Sequence, residues 1–161
     1  MYKSILVPLD GSKLAECSLQ HVQAIAQGCH VPVVTLLAII EQPQENSYEA
    51  GNQSQIEAMF KEQEKMQAQA LDNANKYLAK ASIELSKENI DVKSAIVQAP
   101  KDQGVADIIV EFAKNSATDL IIMSTHGRSG ISRWAMGSVA DRVIRGSTVP
   151  VLIAVPHGCR I

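Results

Sequence analysis

A chain of 161 residues, 46% apolar and 20% charged, carries enough hydrocarbon for one substantial core and reads as a single globular domain spanning 1–161. Its formal charge of -2 offers no overall attraction to nucleic acid or to an anionic membrane, so any anion site must be local. The longest apolar run, Val31 to Ile40, is about half of what a membrane-spanning helix requires, and the N-terminal MYKSILVPLDGS lacks a signal-peptide pattern, which makes a cytoplasmic location the expectation.

SILVPL, Ser4 to Leu9, reads as a first strand, stopped by the turn and cap cluster Asp10-Gly11-Ser12. Ala15, Leu19, Val22, Ile25 or Ala26, and Cys29 then recur at helical spacing, which predicts a helix with Gly28 at its C-cap. VPVVTLLAII, Val31 to Ile40, is nearly continuous in apolar residues, as a strand buried on both faces of a parallel sheet must be. The stretch from Glu41 to Gln53 is polar and without periodicity. A long helix follows, on which Ile56, Met59, Phe60, Met66, Ala70, Leu71, Ala74, Tyr77, Leu78, Ala81 and Leu85 trace one face. Its Met and aromatic positions are expected in the core. Asp91 to Val97 reads as a third strand. Gly104 to Lys114 follows as a helix with Val105, Ile108, Ile109 and Phe112 inward. Asp119 to Met123 is a fourth strand, Ser138 to Arg145 a helix ended by Gly146, and Val149 to Val155 a fifth strand. This alternation implies an α/β fold, a doubly wound parallel sheet with helices on both faces.

Cys17, Cys29 and Cys159 are widely spaced and form no CxxC, so neither a zinc site nor a disulfide framework is expected. Cys17 and Cys29 read as reduced packing residues; the role of Cys159 is open. In a sheet of this kind ligands bind beyond the carboxyl ends of the strands, where the strand order reverses. That directs attention to the loops after the strands: PLDGS after the first, IIEQP and the polar loop after the second, and MSTHGRSGISRWAMGS, Met123 to Ser138, after the fourth. The last stretch is either an ordinary strand-to-helix connection or a cradle for phosphate. Gly127 and Gly130 can turn successive N–H groups inward and admit a phosphate without a Cβ in the way. Gly137 and Ser138 open a helix whose first N–H groups lack partners, and Ser138 with Asp141 fits a capping box. There is no GxxxxGK[ST], no GxGxxG and no GxSxG, which excludes a P-loop, a dinucleotide fingerprint and a nucleophile elbow. The histidines His21, His30, His126 and His157 show no metal-ligand spacing. Arg128 and Arg133 could each meet a phosphate or be solvated, and Trp134 reads as a packing or surface anchor.

Three segments, ILVPLDGS, DLIIMSTHGRSGISRWAMGSVADRVI and VPVLIAV, give the chain a resemblance to the universal stress protein family over almost its whole length. The resemblance implies five strands in the order 3-2-1-4-5, which brings Asp10 and the loop from Ser124 to Ser138 to one crevice. The chain is similar to the family's ATP-binding subclass, with its spacing Gly, two residues, Gly, nine residues, Gly, then Ser or Thr. Gly127, Gly137 and Ser138 fit that spacing, whereas Ser124 stands at the first glycine position. The resemblance further implies that Pro8, Leu9 and Asp10 line the nucleoside side. Ile39 would meet adenine through its backbone, and Met123 would pack near the base or ribose. Gly127, Arg128, Gly130, Gly137, Ser138 and Val139 would surround the phosphates. The resemblance implies ATP, with Mg²⁺ if the phosphates carry it, as the ligand, and homodimerisation through Val149 to Val155. No nucleic-acid or membrane partner is implied. The expected function is a dimeric stress-response regulator that binds an adenine nucleotide. The alternatives are an interaction module with a degenerate nucleotide site, for which Ser124 speaks, and a slow ATPase drawing on Asp10, His126 and Arg128.

Overall fold

The computed structural model describes residues 2–42, 53–86, 90–125 and 137–155. In chain order the elements are β1 (Ser4–Pro8), α1 (Lys13–Glu16), α2 (Leu19–Gly28), β2 (Val33–Ile40), α3 (Gln53–Ser86), β3 (Asp91–Gln98), α4 (Val105–Asn115), β4 (Leu120–Ser124), α5 (Ser138–Gly146) and β5 (Val151–Ala154). The strands form one five-stranded sheet in the order β3-β2-β1-β4-β5, with every neighbouring pair parallel. Fold class and strand order are those expected from the sequence.

Because side chains alternate along a strand, the sheet feeds two cores. Ile5, Val7, Val34, Leu36, Leu120 and Ile122 point to the face covered by α2 and α3, where Val22, Ala26, Leu78, Ala81 and Leu85 meet them. Leu6, Leu37, Ile121 and Met123 point the other way, against Ala106, Ile109 and Ala113 of α4 and Ala140 and Val143 of α5. Burial on both faces explains why β2 and β4 are almost pure hydrocarbon. At the amino edge the Asp119 carboxylate accepts from the N–H groups of Lys3 (2.7 Å) and Ser4 (3.2 Å), which ties the start of β4 to β1.

Several local expectations need correction. The single helix expected from Ala15 to Cys29 is broken into α1 and α2, because the fully buried Ser18 hydroxyl donates to the Ala15 carbonyl at 2.7 Å and competes with the helical ladder. Gly28 is the last residue of α2 rather than its cap. The left-handed residue is His30 (φ 53), and Val31 N–H closes the helix end on the Ala26 carbonyl at 2.8 Å. Cys17 is disulfide-bonded, not a reduced packing residue, whereas Cys29 is free. Spacing along the chain carries no information about which thiols the fold brings together.

The largest correction concerns α3. Its last turns are core, but Ile56, Met59, Phe60, Met66 and Leu71 are exposed, Phe60 by 58%. The side-chain amide of Gln67 donates to that of Gln98, the final residue of β3, at 3.2 Å. Everything before Gln67 in this 34-residue helix therefore runs past the carboxyl edge of the sheet, by about 20 Å at 1.5 Å per residue. Periodicity holds from Ala74 through Leu78 and Ala81 to Leu85; Leu71 turns outward, and before Gln67 the sheet has already ended.

Candidate functional site

The carboxyl edge of the sheet opens into a cavity of about 840 Å³, within the size range of small-molecule sites. Its floor is the switch point, where the chain leaves β1 for β2 on one side and β4 lies on the other. Pro8, Leu9 and Asp10 enter it from the end of β1, and Ile39 from β2. Met123 and Ser124 enter from β4, and Gly137, Ser138 and Val139 from the start of α5. Gly127, Arg128, Gly130 and His126 lie outside the described residues.

The end of β1 is shaped by its turn. Gly11 takes a left-handed conformation (φ 81), and the Asp10 carboxylate accepts from the Ser12 N–H at 2.9 Å, which fixes the carboxylate at the cavity rim. The Ser12 hydroxyl in turn caps α1, accepting from the Ala15 N–H at 3.1 Å. Gly11→Ala is expected to destabilise the protein by about 1 kcal/mol, the cost of a Cβ in this conformation, read as a lowered urea midpoint with unchanged slope.

The backbone of β2 is also exposed to the cavity for a definite reason. The ladder between β1 and β2 ends with the Leu9 N–H donating to the Leu37 carbonyl at 2.8 Å. Two residues on, Ile39 turns its N–H and C=O to that same side, where β1 has already ended. Ile40 points oppositely, its carbonyl accepting from the Ala99 N–H at 2.8 Å. The Ile39 peptide groups thus offer a donor and an acceptor to whatever fills the cavity.

On the far side, the Thr125 N–H donates to the Ala154 carbonyl at 3.1 Å, and the Gly137 N–H donates to the Thr125 carbonyl at 2.9 Å. These two bonds clamp the beginning of α5 to the end of β4. The helix begins at Ser138 as expected, but the N-cap is Gly137, with φ -59 and ψ 143, and Ser138 is already the first helical residue, without a side-chain capping bond. The expected capping box does not form, because Asp141 instead accepts from Arg145 at 3.0 Å. Since the first intrahelical bond runs from the Asp141 N–H to the Gly137 carbonyl, the N–H groups of Ser138, Val139 and Ala140 precede the ladder. All three residues line the cavity, at the positive end of the helix dipole.

The walls contain residues that sequence reading assigned to the core alone. Val105 and Ile109 of α4 join Ile39, Met123 and Val139 in an apolar slot. Ala70, Asn73, Ala74 and Tyr77 of α3 form the opposite wall, at the one-face spacing of a helix. The Tyr77 hydroxyl is buried and has no hydrogen-bond partner. Burial, then the carboxylates of Glu16 and Asp10, push its pKa above the ordinary tyrosine value, so the phenol stays protonated. Glu16 acts on it electrostatically, without the geometry that closes a hydrogen bond. Slot, helix terminus and the α3 wall with Asn73 and Tyr77 together suit a ligand with a flat apolar part, an anionic part and a polar middle.

Known proteins resemble this chain in sequence and in fold. The sequence model of the Universal stress protein family matches residues 1–155. Universal stress protein MJ0531 of Methanocaldococcus jannaschii is 30% identical, over 95% of this chain and 82% of its own length. Universal stress protein MJ0577 of the same organism is also 30% identical, covering 95% and 94%. The solved MJ0577 structure superposes with a TM-score of 0.79 at 27% identity, over 99% of both chains. The universal stress protein from Archaeoglobus fulgidus in complex with dAMP shares the fold at a TM-score of 0.57 and 21% identity, over 94% of this chain and 97% of its own.

Proposed function

The chain belongs to the universal stress protein family, and from that premise we propose that it binds an adenine nucleotide, ATP by its glycine spacing, in the cavity at the β1/β4 switch point. The observation that carries this reading is the cavity itself, which gathers Asp10, Ile39, Met123, Gly137 and Ser138 from distant parts of the sequence. The apolar slot takes the base, with the Ile39 peptide groups reading its edge. The N–H groups that open α5 take phosphate, together with Gly127, Arg128 and Gly130 as the family resemblance assigns them. Mg²⁺ carried by the phosphates would take oxygen ligands. A protein of this fold solved with dAMP supports an adenine nucleotide as the ligand class to test first.

The reading extends to a cytoplasmic stress-response regulator that dimerises through its last strand. Among the described residues β5 pairs only with β4, and its outer edge is where a second strand would add. Light scattering after gel filtration tests this: a mass twice that of the chain supports it, and a monomer at micromolar concentration refutes it.

Ser124 favours a second reading, an interaction module whose nucleotide site has degenerated. It is 8% exposed and puts a Cβ on the cavity wall where the ATP-binding pattern has glycine. Calorimetric titration with ATP separates the two. Saturable binding of one nucleotide per chain supports the first reading, and the absence of heat at any ATP concentration up to millimolar supports the second.

A further inference from the structure

Among the described residues, the Tyr77 hydroxyl is the one buried side-chain oxygen or nitrogen left without a partner, and it belongs to a residue that lines the cavity. Folded proteins leave few such groups, since a desolvated hydroxyl forfeits its bonds to water and gains nothing in return. A group of this kind beside a cavity is explained if the partner arrives with the ligand. Its surroundings narrow what that partner can be. The carboxylates of Asp10 and Glu16 both act on the phenol, which makes this corner of the cavity rich in acceptors and negative charge. A phosphate would be repelled here and is better placed at the N-terminus of α5. An apolar ring is better placed in the slot beside Ile109 and Met123. What suits a carboxylate beside a protonated phenol is a ligand part with hydroxyl groups, which can donate to one and pair with the other. The phenol is kept neutral, so its part is to bind and not to abstract a proton.

We propose that Tyr77, with Asp10, reads the sugar of the bound nucleotide through its hydroxyls and makes the site select an intact ribose over its deoxy analogues. The proposal rests on the adenine-nucleotide reading of the cavity. It adds a specificity residue from α3, an element the sequence presents only as core packing. The helix geometry favours it: Ala70 and Ala74 are small, so the sugar can approach the wall closely enough for Tyr77 to reach it.

The test titrates ATP, 2′-deoxy-ATP and 3′-deoxy-ATP into the parent protein and into Tyr77→Phe, and measures the melting temperature of both without nucleotide. The parent is expected to bind ATP about tenfold more tightly than at least one deoxy analogue. In Tyr77→Phe that ratio should collapse to about twofold, through loss of ATP affinity and not through a gain for the analogue. The free variant should melt no lower than the parent, because the deleted hydroxyl satisfies nothing in the empty site. A lower melting temperature with an unchanged ratio would show a structural hydroxyl and overturn the proposal. If the parent binds ATP and the variant ranks the three ligands as the parent does, this inference fails and the nucleotide reading stands. If the parent binds none of them, the nucleotide reading fails and takes this inference with it.

Discussion

Gly137→Val is expected to weaken ATP binding by about 100-fold, equivalent to about 2.7 kcal/mol, with little change in the fold. Gly137 lies on the cavity wall between the clamp to Thr125 and the first turn of α5. A branched side chain there stands where phosphate must approach the N–H groups of Ser138 and Val139. The effect should be local. The backbone of Gly137 (φ -59, ψ 143) lies in a region that valine adopts readily, so no strain follows. Loss of a glycine N-cap to valine costs about 1 kcal/mol at most. Calorimetry with ATP, accompanied by a urea curve, checks both halves of the expectation.

The second large effect is on stability. Leu36→Ala should destabilise the protein by about 2–5 kcal/mol, because Leu36 is 0% exposed in the central part of β2 and its removal leaves a cavity that flanking strands cannot close. That is a large share of the roughly 5–15 kcal/mol that holds a domain together. Phe60→Ala, a bigger deletion by volume, should change stability by no more than about 0.5 kcal/mol, since Phe60 stands on the overhanging part of α3. Urea denaturation of the two variants side by side tests the pair. If Phe60→Ala proved the more damaging, the projection of α3 beyond the sheet would be wrong.

That pair also marks what the sequence discloses and what it hides. The strands of a doubly wound sheet announce themselves because burial on both faces leaves no room for polar residues, as in VVTLLAII of β2 and LIIMS of β4. Asp10 and the stretch from Met123 to Ser138 followed from that alternation, since the rule points to the loops after the strands, whereas the strand order and the contacts of Ile39 and Met123 came from the family resemblance. Helical periodicity, by contrast, gives the phase of a face and not the length of the surface it meets. Phe60 and Leu78 therefore looked alike, although one is exposed and the other is 1% exposed beneath the helix. Tyr77 and Ala74 share that phase and were hidden in the same way, at the point where the core gives way to the cavity. The N-cap at Gly137 was obscured for a local reason: a serine beside a glycine looks like the cap, but the glycine holds the non-helical angles.

Amide chemical-shift mapping on titration with ATP tests the location and the ligand together. The cavity site predicts saturable shifts centred on Asp10, Gly11, Ile39 to Glu41, Tyr77, and Ser138 to Ala140, the residues that line it. Saturable shifts centred elsewhere, or none at millimolar ATP, would contradict it.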